Sequence, residues 1–140
     1  MRNSKPILLV EDDDVDVMTV KRAFNDLKVT NQLVSTVNGE EALEYLRSQS
    51  NMKPSVILLD LNMPKMNGIE FLKTVKTDQA LRKIPVVVLT TSGAEQDIAE
   101  SFNLGVAGYM VKSVDYVKFV DIIRTIDMYW SLSELPLNGE

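Results

Sequence analysis

Residues 56–64, with the sequence VILLDLNMP, are the part of this chain that most clearly indicates its fold. Its four leading aliphatic residues make a run too short for an ordinary helix, and such a run suits a strand buried on both faces of a parallel sheet. The run ends in a carboxylate, Asp60, and Pro64 and Gly68 then supply turn chemistry. Ligands of open parallel α/β sheets bind beyond the carboxyl ends of the strands, so Asp60 lies where chemistry is expected. For an isolated aspartate, the alternative is a simple turn cap.

Composition limits the classes to which the chain can belong. Its 140 residues, 45% hydrophobic and 25% charged, predict one globular domain with an ordinary core. The absence of cysteine excludes disulfides and thiolate metal sites, and the absence of histidine removes the commonest general base and transition-metal ligand. A net charge of −5 argues against nucleic-acid binding. Because no apolar run approaches the ~18 residues of a membrane span and no signal peptide precedes the first strand, we expect a cytoplasmic protein.

Short apolar runs alternate with helical patterns along the whole chain. The runs predicted as strands are residues 7–10, 33–37, 56–59, 85–89 and 107–111. After each of them, apolar residues recur at helical spacing, as Phe71, Leu72 and Val75 do after the third. This alternation predicts a doubly wound, five-stranded parallel sheet with helices on both faces. The mixed polarity of residues 33–37 predicts that this strand lies at an edge of the sheet.

Four consecutive acids, Glu11 to Asp14, follow the first predicted strand. Asp13 or Asp14 can cap the next helix, and acids in a first turn also suit the helix dipole, so capping is the interpretation of these two. Glu11 and Asp12 differ because they occupy the strand end itself. A nucleotide site of the flavodoxin type would need glycines and hydroxyls there, and four acids would repel a phosphate unless a cation intervened.

Polar residues also end three further strands, which brings four strand ends to one edge of the sheet. They are Glu11-Asp12, Asp60, Thr90 and Lys112. Three carboxylates in one place repel each other, and a hard divalent cation removes the conflict, since oxygen-only ligands indicate Mg²⁺ or Mn²⁺. An ionised aspartate beside such a cation is a nucleophile toward phosphorus and forms an aspartyl phosphate. The lysine would neutralise charge on the transferring group, and the threonine hydroxyl could hydrogen-bond one of its oxygens.

With these residues in place, the chain resembles a receiver domain of the two-component response-regulator family over about residues 5–130. The resemblance implies a flavodoxin-like (β/α)5 fold with strand order 2-1-3-4-5. It also implies a role for each matching residue: phosphorylation on Asp60, metal binding by Glu11, Asp12, Asp60 and the backbone carbonyl of Asn62, catalytic assistance from Thr90 and Lys112, and a switch made of Thr90 and Tyr109.

The same resemblance implies how the protein works. A sensor histidine kinase or a phosphotransfer protein would donate the phosphoryl group, and the output would be a protein–protein contact. Phosphotransfer and dephosphorylation would be self-catalysed, so we do not expect an enzyme with an external substrate. The segment 127–136 further resembles single-domain regulators paired with bacterial phytochromes. We therefore expect residues 1–140 to form a single receiver domain, with 131–140 as a tail and no output domain.

One residue departs from the family pattern. The family usually has a proline after the lysine, joined to it by a cis peptide, whereas Ser113 follows Lys112 here. A cis bond before a residue other than proline costs ~2.5–4 kcal/mol. The sequence therefore leaves open whether the Lys112–Ser113 peptide is cis.

The sequence is also compatible with two other functions, and it predicts a homodimer. The chain could be a receiver-like scaffold that is not regulated by phosphorylation, or a flavodoxin-like or aspartyl-phosphate enzyme, although it lacks a phosphate loop after the first strand. In the last predicted helix, residues 115–132, the core stripe is Phe119, Ile122, Ile123 and Ile126. Tyr129 and Trp130 near its end are residue types that anchor interfaces, which predicts a two-fold homodimer.

Overall fold

The computed structural model describes residues 5–63 and 66–132, and of residues 129–132 it describes the backbone only. The elements are β1 (Ile7–Val10), α1 (Asp14–Asp26), β2 (Leu33–Thr36), α2 (Gly39–Arg47), β3 (Val56–Leu59), α3 (Gly68–Thr77), β4 (Val86–Thr90), α4 (Glu95–Asn103), β5 (Gly108–Val111) and α5 (Tyr116–Leu132). All neighbouring strands are parallel, in the order β2-β1-β3-β4-β5. This confirms the predicted doubly wound sheet, its strand order and the edge position of β2.

Alternating residues of the central strands send their side chains into two separate cores. Leu8 and Ile57 face the layer of α2 and α3, where Phe71 and Leu72 are fully buried. The strand residues that alternate with these, Leu58 among them, face the layer of α1 and α5. Because β1, β3 and β4 are buried on both sides, four or five residues suffice for each of them, and their ends lie level at one edge.

The loops at this edge are fixed by helix caps. Asp13 is the N-cap of α1, and its carboxylate accepts hydrogen bonds from the backbone N–H groups of Val15 and Asp16 at 2.8 and 3.2 Å. Asn67 caps α3 in a reciprocal capping box with Glu70. The capping role predicted for Asp13 is confirmed. Such caps satisfy backbone donors that a helix cannot satisfy itself, and they position the first helical turns next to the strand ends.

Helix α4 differs from its predicted packing. Ile98, Ala99 and Phe102 recur at helical spacing, which predicts that they share a buried face. Half of Phe102 is exposed, however, and the buried residue of the helix is Ser101. The helix has only nine residues and packs against β5, which is an edge strand, so little of its surface can be covered. Gly105, at φ of 91°, follows the helix and supplies the left-handed turn that ends it.

Helix α5 begins one residue later than predicted, at Tyr116, and Asp115 accepts a hydrogen bond from the backbone N–H of Val117 at 2.9 Å. Its buried stripe is Phe119, Ile123 and Ile126, while Ile122 is only half-buried. The side chains of residues 129 and 130, on which the homodimer prediction depends, lie outside the described residues. In the described part of the chain, every peptide bond is trans, including the bond that was left open at Ser113. No described helix is long and apolar enough to cross a membrane.

Candidate functional site

Three carboxylates converge at the carboxyl edge of the sheet. Glu11 and Asp12 follow β1 and Asp60 follows β3, and one oxygen from each lies within 4.8 Å of the others. The two strands are neighbours in register, and the ladder continues one step past β3, because the Asp60 N–H donates to the carbonyl of Val10 at 3.0 Å. Glu11 and Asp60 are buried, whereas Asp12 is exposed. The cluster therefore has a buried floor and one side open to solvent.

The Asp60 carboxylate is oriented by Thr90. The Thr90 hydroxyl donates to Oδ1 of Asp60 at 2.9 Å, and both side chains are buried. The prediction ended the fourth strand at Leu89, but β4 extends to Thr90, which pairs with Val111 across the ladder. That extra residue fixes the direction of the hydroxyl toward Asp60. A buried hydroxyl–carboxylate bond of this kind selects one carboxylate rotamer and leaves the second oxygen for other partners.

The ammonium of Lys112 reaches the acidic cluster, where it is paired with Glu11 and with Asp16 of α1. The ammonium forms a hydrogen-bonded ion pair with Glu11 and a second one with Oδ2 of Asp16, at 2.9 Å. Within the described residues it makes no hydrogen bond to Asp60. Burial lowers the pKa of Lys112, but its ion pairs with Glu11 and Asp16 raise it by more, so the net pKa lies above the ordinary value. The ammonium is therefore charged throughout the physiological pH range.

Tyr109 is joined to the loop that follows Thr90. Its hydroxyl donates to the backbone carbonyl of Ser92 at 2.7 Å, and the Ser92 hydroxyl in turn donates to Asp97 at 2.5 Å. The ring is half-buried, and burial raises the pKa of its hydroxyl above the ordinary value. The two residues predicted to form a switch thus lie at either side of one short loop, with Thr90 bonded to Asp60 and Tyr109 bonded to the loop itself.

The sequence matches the family described as the response regulator receiver domain over residues 7–124. The chain belongs to this family. It is a phosphorylatable receiver of two-component signalling, and all four strand-end positions fall inside the matched range.

This receiver domain is similar to named regulators over most of its length. It is 37% identical over 127 residues to the probable methanogenesis regulatory protein FilR2 of Methanothrix harundinacea, covering 89% of this chain and 82% of FilR2. It is 36% identical over 130 residues to the response regulator Rcp1 of Synechocystis sp., covering 90% of this chain and 88% of Rcp1. The crystal structure of the phosphorylated cyanobacterial phytochrome response regulator RcpA is similar with a TM-score of 0.89 and 40% identity, over 96% of this chain and 99% of RcpA.

The acidic cluster of the receiver domain fits a hard divalent cation. Its donors are carboxylate oxygens alone, and Mg²⁺ or Mn²⁺ prefers such donors together with water. The similar structure of Rcp1, with a TM-score of 0.86 over 94% of this chain and 99% of that chain, is of a Mn²⁺-bound form at 36% identity. Mg²⁺ or Mn²⁺ is therefore the cofactor of this receiver. Asn62, predicted to supply a backbone carbonyl, lies in the loop after β3 and its side chain is exposed.

The pKa of the Glu11 carboxyl group is raised in the metal-free protein. Burial is the main cause that raises the pKa of Glu11 to about 7, and the charge of Asp60 adds to it, whereas the bond to Lys112 opposes it. Repulsion among gathered carboxylates favours the protonated form of one of them when no cation is bound, and the raised pKa of Glu11 agrees with this. A bound cation favours the ionised form of all three.

We expect the metal-free receiver to become less stable as the pH rises. The folded-state pKa of Glu11 is about 7 and its ordinary value 4.5, so between these values the folded protein holds more protons than the unfolded chain. Raising the pH through that window therefore favours unfolding, by at most about 3 kcal/mol from this residue. Urea denaturation in a chelator at about pH 5.5 and about pH 8 measures the change.

The control for this prediction is Glu11→Gln, which cannot titrate. We expect the stability of the variant to fall less between the two pH values than that of the unmodified protein. Equal pH dependence in the two proteins would show that another group is responsible.

Asp16 is the site residue that the sequence analysis missed. It lies in the first turn of α1, where an acid has an ordinary role beside the helix dipole. Its partner Lys112 is 96 residues away in the chain, so spacing could not connect the two.

A second feature of this region is a cavity of about 390 Å³ between α1 and the start of α5, lined by Asp16, Lys112 and Tyr116 among others.

Proposed function

We propose that Asp60 accepts a phosphoryl group from a histidine kinase or a phosphotransfer protein, and that the phosphorylated receiver signals through protein–protein contacts. The observation that carries this proposal is the geometry of the Asp60 carboxylate. It ends a buried central strand, the Thr90 hydroxyl fixes one of its oxygens at 2.9 Å, and two further carboxylates lie within 4.8 Å. A nucleophile so placed is oriented by the fold before its substrate arrives.

The transfer reaction follows from these groups. A carboxylate oxygen of Asp60 attacks phosphorus, the new O–P bond forms as the donor's N–P bond breaks, and the donor imidazole leaves with its electron pair and takes up a proton. Thr90, which is bonded to Asp60, and the Lys112 ammonium, which is paired with Glu11 of the same cluster, would then interact with oxygens of the arriving group. A cation held by Glu11, Asp12 and Asp60 supplies charge neutralisation when it is bound. Hydrolysis of the acyl phosphate by water would return the receiver to its resting state.

Chemical trapping tests the assignment of Asp60 directly. Acetyl phosphate with Mg²⁺ should add the mass of one phosphoryl group, and borohydride should reduce the acyl phosphate to homoserine at position 60 alone. Peptide mapping of the reduced protein locates that residue. Homoserine at position 12, or 2-amino-5-hydroxypentanoic acid at position 11 where the residue is a glutamate, in place of homoserine at position 60 would refute the proposal.

We infer further that the donor is a kinase of the phytochrome class. The support is the 40% identity to RcpA over nearly the whole of both chains, since RcpA is a phytochrome response regulator. Phosphotransfer from a panel of autophosphorylated kinases is the test, and we expect the phytochrome kinases to label this receiver faster than the others. Equal rates across the panel would contradict the inference and would leave the role of Asp60 unaffected.

We expect Asp12 to contribute more to metal affinity than Glu11. Asp12 is exposed and faces the open side of the cluster, while Glu11 is already paired with Lys112. Losing a direct carboxylate ligand should cost at least about tenfold in affinity, because even residues that only orient ligands cost this much. The loss of the Mn²⁺ electron paramagnetic resonance signal on titration measures affinity for Asp12→Asn and Glu11→Gln. The expectation fails if Asp12→Asn binds Mn²⁺ as tightly as the unmodified receiver.

We expect Thr90→Ala to separate phosphorylation from the response of Tyr109. The variant keeps Asp60 and the acidic cluster, so acetyl phosphate should still label it. It loses the hydroxyl that joins Asp60 to the loop in which Ser92 bonds to Tyr109. Phosphorylation biases an existing equilibrium, and without this contact the bias should not reach the ring. Fluorine NMR of protein labelled with 3-fluorotyrosine, with the Tyr109 signal assigned through Tyr109→Phe, measures the response.

Thr91→Ala is the matched control, because Thr91 is the neighbouring residue and is exposed. In this control the Tyr109 signal should move on phosphorylation as it does in the unmodified protein. A Tyr109 signal that moves fully in Thr90→Ala would mean that coupling follows another route.

A further inference from the structure

The ammonium of Lys112 is shared between two acids of unequal burial. An ammonium has three N–H donors, and here one bonds to Glu11 and another to Asp16. The Glu11 side chain is 3% exposed, whereas that of Asp16 is 38% exposed. Breaking the bond to Glu11 would leave a buried carboxylate without its partner, whereas Asp16 can be resolvated by water. Asp16 is therefore the partner that can release the ammonium at lower cost.

The fold holds Asp16 in place for this contact. Asp13 caps α1 and accepts a hydrogen bond from the backbone N–H of Asp16 at 3.2 Å, which fixes the first helical turn next to the site. The backbone of Lys112 is fixed as well, because its N–H donates to the carbonyl of Thr90 at 2.7 Å. Both ends of the ion pair thus belong to elements whose positions are set by other bonds. The pair is a built feature of the site and does not depend on two freely moving surface side chains.

We propose that Asp16 is a positioning residue that holds the Lys112 ammonium on the α1 side of the site, in competition with the phosphoryl group on Asp60. This inference rests on the proposed role of Asp60. When Asp60 is a free carboxylate, the ammonium remains with Glu11 and Asp16. A phosphoryl group brings additional negative charge and new acceptor oxygens, so the ammonium turns toward it and leaves Asp16.

Thermodynamic linkage predicts whether Asp16 raises or lowers the affinity of the site for a phosphoryl group. An interaction that stabilises the resting state and is lost in the phosphorylated state lowers the affinity of the site for a phosphoryl group. Asp16 then lowers the stability of the phosphorylated form relative to the resting form, and removal of Asp16 favours the phosphorylated form. Because one side chain of the pair, Asp16, is partly exposed and the strength of the pair is reduced by solvent, the expected effect is a few-fold change and not a loss of function.

The experiment measures the affinity of the receiver for beryllofluoride, a mimic of the phosphoryl group on aspartate, in the presence of Mg²⁺. We expect Asp16→Ala to bind it about three- to fivefold more tightly than the unmodified protein. Asp14→Ala is the control for general charge, since Asp14 is an exposed acid of the same first turn. The control should bind beryllofluoride within about twofold of the unmodified protein.

The ¹⁵N signal of the Lys112 ammonium, observed after selective lysine labelling, distinguishes competition from a structural effect. In the unmodified protein this signal should shift when beryllofluoride binds. In free Asp16→Ala it should already differ from the unmodified protein and shift less on binding. Asp16→Asn, which conserves shape and removes the charge, gives the same comparison if the alanine variant does not fold.

Each result decides between the two claims. If the unmodified receiver fails to bind beryllofluoride, the proposed role of Asp60 is wrong and the competition is wrong with it. If the receiver binds but Asp16→Ala and Asp14→Ala bind equally well, or if the Lys112 signal does not respond, the competition alone is overturned and Asp60 keeps its role.

Discussion

Asp60→Asn should abolish phosphorylation of this receiver while leaving its fold intact. The amide is nearly isosteric with the carboxylate, and its oxygen can still accept the hydrogen bond from Thr90 at Oδ1. It lacks the negative charge and the nucleophilic oxygen that the transfer requires. We expect no phosphoryl adduct from acetyl phosphate or from a kinase, as measured by the mass of the intact protein.

The same variant should be at least as stable as the unmodified receiver without metal. Asp60 contributes to the raised pKa of Glu11, so removing its charge relieves repulsion inside a buried cluster. Asp14→Asn, which changes an exposed acid just after Glu11 and Asp12, is the control and should be labelled normally. Persistent labelling of Asp60→Asn would move the phosphoacceptor to another residue, and marked destabilisation would show that Asp60 has a structural role as well.

The strands of this protein could be predicted from sequence because burial on both faces leaves a distinctive record. Runs such as residues 7–10 and 56–59 have no polar residue, and the structure places both in the centre of the sheet with the predicted bounds. The bounds of the other strands differ by one residue, at one end of β2 and of β5 and at both ends of β4, which runs from Val86 to Thr90. Hydrophobicity cannot locate such an end, because a polar residue can still pair its backbone with the next strand.

The composition of the site could be predicted, but its internal bonds could not. The strand ends had to meet at one edge in a parallel sheet, so the gathering of Glu11, Asp12 and Asp60 followed from topology. Which acid pairs with Lys112 depends on the position of a helix relative to the sheet, and the sequence contains no record of that position. The Tyr109–Ser92 bond is of the same kind, since a side chain there meets a backbone carbonyl 17 residues away.

Helix α4 shows where periodicity fails. A pattern of apolar residues predicts which face of a helix is buried only when a layer of structure covers that face. The helix lies over an edge strand, and Phe102 remains half exposed despite its favourable spacing. In contrast, Phe119 and Ile123 of α5 lie over the middle of the sheet, and every residue of the predicted stripe except Ile122 is buried.

A methyl group at position 68 should displace the backbone that carries Asp60. Gly68 begins α3, and its N–H donates to the carbonyl of Leu61 at 3.0 Å, which brings the two backbones together. A Cβ atom there would lie 2.5 Å from Cα of Leu61 and 2.6 Å from the carbonyl oxygen of Asp60. Both are backbone atoms that no side-chain rotation can remove, so the loop after β3 must shift.

We therefore expect Gly68→Ala to lower the free energy of unfolding by about 3 kcal/mol, the cost of forcing extra atoms into a closely packed region. Because the displaced backbone carries Asp60, metal affinity and the rate of labelling by acetyl phosphate should fall as well. Urea denaturation, Mn²⁺ titration and intact mass measure the three effects. Gly93→Ala is the matched control in a neighbouring loop, where a Cβ atom meets only a side-chain atom of Val111, at 3.9 Å. If Gly68→Ala is as stable and as readily labelled as Gly93→Ala, the loop can move without disturbing Asp60, and the close approach at position 68 does not hold the site in place.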